Sequence, residues 1–300
     1  MQKIENFGQA VEALANRDSR KKVAIIWPQD SATRAAVAMA LDAGIIDAVF
    51  VGCRAEVEAD QAIMVHSGHI SFADATDSDQ AAAIAVGMAR DGQVDALMKG
   101  LLNTDNLLRA VLNKEHGILP PGSTLTHLTI TQIPSLPRLL MFTDAAVIPY
   151  PTDAQRQVQV RLCAEMGRRL GVAEPRIALI HCTEKVDARH FPFTASYPAL
   201  RSQAEAGEFG PCIVDGPFDV KCACSAAAMA KKGLTSPIAG EADALVFPDI
   251  EAANTFYKTI TLFAGASTAG LLAGLHVPVV LPSRGDTPQS KFYSLAMASL

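Results

Sequence analysis

Short apolar runs rich in β-branched residues recur along the chain, at 23–27, 48–51, 70–72, 96–98, 139–142, 177–180, 212–214, 244–247 and 277–281. Between them lie longer stretches whose apolar residues return every three or four positions, at 32–43, 80–90, 106–112, 155–170, 226–232 and 250–264. The short runs lack the in–out alternation of a strand with one wet face. Each therefore reads as a strand buried on both sides, and the longer stretches as the helices that cover it. This alternation predicts an α/β protein with parallel sheets. The segments 113–125 and 144–154 break the rhythm with Gly117, Pro120, Pro121 and Gly122 in one and Pro149 and Pro151 in the other. The second is expected to be the crossing between two domains.

Length adds that two domains are expected, since 300 residues exceed one ordinary core. A net charge of -5 and the lack of any basic run exclude a nucleic-acid footprint. The apolar run 271–281 is interrupted by Gly274, His276 and Pro278 and is too short to span a bilayer. With no signal-like segment at the start, the expected location is cytoplasmic, with no membrane partner. Six irregularly spaced cysteines read as reduced thiols. Neither Cys222/Cys224 nor His66/His69 completes a ligand set, so no metal is expected.

Ligands of open α/β sheets bind at the carboxyl ends of strands. Val279–Val280–Leu281–Pro282 delivers Ser283, Arg284 and Asp286 to such an end, and Thr287–Pro288 follows as a helix start. Hydroxyl, guanidinium and carboxylate there suit a phosphate beside a proton acceptor, or else Asp286 simply caps the turn. Lys99–Gly100 leaves another strand into a glycine turn, followed by the cap signal Asn103–Thr104–Asp105, where Thr104 either binds or caps. Thr126–His127 lies in a β-branched segment, where a lone histidine is more often a core residue. Asp215 ends a strand and either orients a partner or closes a turn. Asn254 and Lys258 are four apart on one helix face. Lys231 and Lys232 read as charges complementing a helix C-terminus. The small-residue segment 265–270, with Ser267, is expected to be a turn entering a helix, admitting a phosphate or permitting close packing. Neither the Walker nor the Rossmann glycine spacing is present.

Read in order, Ala96-Leu97-Met98-Lys99-Gly100 with Thr104-Asp105, Phe142-Thr143-Asp144-Ala145-Ala146-Val147, Val214-Asp215-Gly216-Pro217, Lys232-Gly233-Leu234-Thr235-Ser236-Pro237-Ile238-Ala239-Gly240, Phe247-Pro248-Asp249-Ile250-Glu251-Ala252 with Asn254 and Lys258, and Ser283-Arg284-Gly285-Asp286 resemble the phosphate acetyl/butyryltransferase family. The Arg-x-Asp ending is closer to the butyryl branch. The resemblance implies two α/β/α lobes of the isocitrate/isopropylmalate dehydrogenase type with a cleft between them. The expected lobes are 1–145 with 273–300, and 146–272. It implies acyl transfer between coenzyme A and phosphate, with both as substrates, no cofactor, and a homodimer. Asp286 is then the base for a thiol of ordinary pKa about 8.5, Arg284 the phosphate fork, and Ser283 an oxyanion donor worth about 3 kcal/mol. Lys99, Gly100, Thr104, Thr126, His127, Asn254, Lys258 and Ser267 are the expected substrate-binding residues. The chain departs from the family pattern at Lys221, where an aspartate is usual, at Thr126 for serine, and at Ala253 for glycine. A metal- and nicotinamide-dependent hydroxy-acid dehydrogenase on the same architecture, and a non-catalytic relative that binds coenzyme A, are the alternatives.

Overall fold

The structure, a computed structural model, describes residues 2–282 and 285–300. It divides into two compact units. The first comprises Phe7–Leu125 and Thr268–Leu300; the second comprises Thr126–Ser267 with the N-terminal residues through Asn6. The division therefore falls at 125/126, earlier than the proline-rich crossing at 144–154 suggests. Segment 126–145 belongs with the second unit because its two strands pair with each other and with that unit's sheet.

In the first unit the strands are β1 (Lys21–Ile26), β2 (Ile46–Val51), β3 (Ile70–Ala73) and β4 (Ala96–Lys99). In the second they are β5 (Thr126–Gln132), β6 (Leu139–Thr143), β7 (Arg176–Ile180), β8 (Ile213–Phe218) and β9 (Ala244–Val246). The chain then returns to the first unit through β10 (Ser267–Ala273) and β11 (Val279–Val280). Strand order is β3-β2-β1-β4-β11-β10 in the first unit and β5-β6-β9-β7-β8 in the second. Consecutive residues of β1, β4, β6 and β7 are buried, which requires cover on both faces of the sheet.

Two departures from the expected parallel pattern matter. β5 runs antiparallel to β6, with Thr129 opposite Phe142. β10 runs antiparallel to β11, with Leu271 opposite Val280. Segment 267–273 is thus a strand rather than a turn entering a helix. Its small residues hide that from sequence, and Leu271 and Leu272 pair with β11.

The helices follow the expected periods closely: Ser31–Asp42, Ser78–Arg90, Thr104–Val111, Asp153–Arg169, Ala226–Lys231 and Ile250–Phe263. Their starts are chemically marked. Asp30, Asp77, Thr152 and Asp249 each accept a hydrogen bond from a first-turn amide. Among the described residues no helix is long and apolar enough to cross a membrane.

Candidate functional site

In the first unit, β1 lies between β2 and β4, all parallel, so their carboxyl ends form one edge. There the chain leaving β4 continues to zip along the end of β1. The amide of Gly100 donates to the carbonyl of Ile26 at 2.8 Å, and that of Leu101 to the carbonyl of Trp27 at 2.9 Å. This approach explains the glycine. A Cβ at Gly100 would stand 2.4 Å from the Trp27 oxygen and 2.6 Å from that of Ile26. Trp27 itself adopts a left-handed conformation, with φ 52°, where the chain turns off the sheet.

Lys99 is 5% exposed. Its Nζ lies 3.4 Å from the carbonyl oxygen of Gly100. It lines a cavity of about 370 Å³ together with Asp30, Ser78, Asn103, Pro282 and Lys291. Asn103, not Thr104, is the N-cap residue of the helix Thr104–Val111, and its side chain makes no cap bond. Thr104 is therefore the first helical residue.

Lys291 went unremarked in the sequence. It comes from the last helix, Pro288–Ala298, and is 6% exposed. Its Nζ donates to Asp30 Oδ1 at 3.0 Å and to Thr33 Oγ1 at 3.0 Å. Burial pushes the Asp30 carboxyl up, but hydrogen bonds from Thr33 and Lys291 outweigh it and leave its pKa below the ordinary aspartate value.

At the start of that last helix, Thr287 caps as expected, accepting from the amide of Ser290 at 3.2 Å, with Pro288 in the first turn. The cap of this helix is thus Thr287, and Asp286 just before it is half-buried. Ser283 and Arg284 lie outside the described residues.

In the second unit, the antiparallel pairing brings the start of β5 beside the carboxyl end of β6. Asp144, 1% exposed, gathers the two. Its Oδ2 accepts from Thr126 Oγ1 at 2.7 Å and from the amides of His127 and Ile148, while Oδ1 accepts from the amides of Ala146 and Val147 at 2.8 Å. Thr126 also meets Thr143 at 3.1 Å and Gln159 at 3.4 Å. The His127 ring is buried, with Nδ1 3.3 Å from the Thr129 hydroxyl. Asn254 joins this region by donating Nδ2 to the carbonyl of Ala145 at 2.9 Å. Lys258 follows on the same helix, exposed, with Nζ 4.6 Å from the centre of the Tyr257 ring. Ser267 lies apart from them in β10, its carbonyl accepting from Thr131 Oγ1 at 3.1 Å.

The structure thus gathers Thr126, His127 and Asn254 around the loop after β6, and places Lys99 at the end of β4, Gly100 in the turn that follows and Thr104 at the head of the next helix. Asp144 is the organiser that the sequence only hinted at, as an acid following a buried strand.

Two further expectations resolve. Asp215 accepts from Ser236 Oγ at 2.7 Å, from its neighbour Gly216 at 2.9 Å, and from Arg201 at 3.4 Å, so it ties the loop around Ser236 to β8. Lys232 does more than complement a helix end. Its ammonium lies 2.7 Å from both Glu184 and Asp219. Those carboxylates and Cys222 form a group of potential ligand atoms within 4.8 Å of one another, and Lys232 supplies the positive charge there. Lys221 is exposed in the short helix that Asp219 caps.

Comparison with known proteins adds a consistent picture. Residues 69–299 match the family model described as phosphate acetyl/butaryl transferase. A phosphate butyryltransferase of Clostridium beijerinckii is 34% identical over 297 residues, covering 99% of this chain and 97% of that one. A phosphate acetyltransferase of Thermotoga maritima is 36% identical over 222 residues, covering 74% and 75%. Among solved structures, a branched-chain phosphotransacylase from Enterococcus faecalis V583 superimposes with a TM-score of 0.78 at 30% identity, covering 93% of this chain and 98% of that one.

Proposed function

The chain belongs to the phosphate acetyl/butyryl transferase family and is a phosphate acyltransferase; from that premise we propose that it exchanges a short acyl group, butyryl or acetyl, between coenzyme A and inorganic phosphate. Both are substrates, and no further cofactor enters. The observation that carries this reading into the molecule is Lys99, an ammonium buried at the carboxyl edge of a parallel sheet and facing a cavity. A buried cation of this kind favours an anionic guest.

In the acyl-phosphate direction, a phosphate oxygen attacks the thioester carbonyl and the carbonyl oxygen takes the negative charge. The attack forms the acyl–oxygen bond; collapse of the adduct re-forms the carbonyl, breaks the carbon–sulfur bond and releases the thiolate. In reverse, the thiol gives its proton to a base and attacks the acyl phosphate. Asp286 is the proposed base, Arg284 the proposed fork for phosphate, and Ser283 a proposed donor to the oxyanion. Lys99, with Gly100 allowing its close approach to β1, binds phosphate. Thr104 stands at the head of the next helix, where first-turn amides favour anions.

In the second unit, Asn254 and exposed Lys258 are proposed to meet coenzyme A. Buried Thr126 and His127 shape the loop held by Asp144. Ser267, the first residue of β10, is proposed as a further substrate contact. We read the two units as α/β/α lobes of the isocitrate/isopropylmalate dehydrogenase type and the working species as a cytoplasmic homodimer.

Release of free thiol from acyl-CoA substrates of two to six carbons, dependent on phosphate, tests the reaction. The expected result is turnover greatest near four carbons, in keeping with the Arg-x-Asp spacing at 284–286. No thiol release with any chain length sinks the reading, and coenzyme A binding without turnover would leave the non-catalytic alternative. The dehydrogenase alternative is not favoured, because the relatives that match nearly end to end are named as transferases.

A further inference from the structure

We propose that Lys291 is a second phosphate-binding residue, and that the cavity beside β4 seats a phosphate anion between the ammonium groups of Lys99 and Lys291. The inference rests on the reaction proposed above and extends it to a residue outside the recognised segments.

Three observations carry it. Lys291 and Lys99 are each more than nine-tenths buried, yet both line the same cavity. An ammonium has three N–H donors. Asp30 and Thr33 take two from Lys291, each at 3.0 Å, which fixes the side chain and leaves one donor for the cavity. Among the described residues of the lining, the ammonium groups of Lys99 and Lys291 stand with one carboxylate, Asp30. N–H donors of an ammonium turned to such a cavity suit an anionic guest, whose hydrogen bonds to them are charge-assisted.

The size of the cavity narrows the guest. At about 370 Å³ it sits near the lower end for small-molecule sites. It suits a phosphate, or the phosphoryl end of an acyl phosphate, better than a whole coenzyme. Asp30 has an orienting role: it holds Lys291 in place while opposing the anion by its own charge. The two partners of one ion pair should therefore act on phosphate binding with opposite signs.

The test uses the full-length protein with Lys291→Met, Lys291→Arg and Asp30→Asn, since Asn preserves the helix cap made by Asp30. Lys291→Met is expected to raise the phosphate KM about tenfold or more, with the acyl-CoA KM within about twofold. Lys291→Arg should recover part of the loss, and Asp30→Asn should leave phosphate KM equal or lower. Calorimetric titration with inorganic phosphate reads the seat without turnover, so it stands even if no acyl transfer is found.

A folded Lys291→Met protein with unchanged phosphate affinity overturns the inference while leaving the acyltransferase reading intact. A rise in acyl-CoA KM alone overturns it too, by assigning Lys291 to coenzyme A. Equal losses in Lys291→Met and Asp30→Asn show a purely structural pair, with the same consequence.

Discussion

The hydroxyl of Thr126 donates to Oδ2 of Asp144 at 2.7 Å, joining the first residue of β5 to the loop that follows β6. Four backbone amides, from His127, Ala146, Val147 and Ile148, complete the ring of donors around that carboxylate. A buried carboxylate with so many donors is an organiser, because every donor would be orphaned without it. Asp144→Ala should destabilise the protein by at least about 3 kcal/mol. Thr126→Val, which removes one donor, should cost about 1–2 kcal/mol. Urea unfolding measures both, and a Thr126→Val loss matching that of Asp144→Ala would show that the hydroxyl, not the amides, does the holding.

Gly100→Ala forces a methyl group against the carbonyls of Trp27 and Ile26, which are backbone and have little room to retreat. The variant should lose about 1–3 kcal/mol of stability by overpacking. Lys99 adjoins it, so turnover should fall more than stability alone explains. Normal kinetics in Gly100→Ala would show that the turn does not govern Lys99.

Lys99→Met removes a charged hydrogen-bond donor from the cavity. Loss of such a contact is worth about 1.5–3 kcal/mol, or about ten- to a hundredfold in phosphate KM. Initial rates over a phosphate series at saturating acyl-CoA decide it, and an unchanged KM removes Lys99 from binding.

His181 sits edge-on to Phe191 and Phe193, with ring centroids 4.5 and 5.3 Å away. Burial lowers its pKa below the ordinary 6.5, against the opposing pull of Asp187 and Glu184. The unfolded chain therefore takes up a proton that the folded chain resists. Stability from this residue is present above 6.5 and is lost as pH falls through 6.5 toward the lower folded value. His181→Leu should flatten that limb of melting temperature against pH, and an unaltered slope would refute the assignment.

Thr287→Ala should cost about 1 kcal/mol by removing the cap on Ser290. Thr287→Ser should be near neutral, and thermal unfolding separates the two.

Much of the α/β layout is legible in the sequence because buried parallel strands need unbroken apolar runs, as at 23–26 and 96–98. Helix starts are legible at Asp77, Thr152, Asp249 and Thr287 because caps act within one turn. β10 is different: Ser267, Ala269 and Gly270 have weak strand preference, and the pairing of Leu271 and Leu272 with β11 is made to a segment that comes later in the chain. Lys291 is hidden for a related reason. Its partner Asp30 lies 261 positions away, so no local pattern can announce the pair. Lys232 misled because a lysine ending a helix already has an adequate local explanation, while Glu184 comes from a distant loop. The boundary at 125/126 was obscured by prolines at 149 and 151, which mark a turn and not a change of unit.

Trp27, whose carbonyl receives the Leu101 amide, is the chain's only tryptophan. Its indole emission therefore reports from a single place, the end of β1 next to the lysine turn. Any guest that shifts Lys99 or Leu101 will alter the surroundings of that one fluorophore, so the native protein carries its own optical gauge of occupancy at this edge.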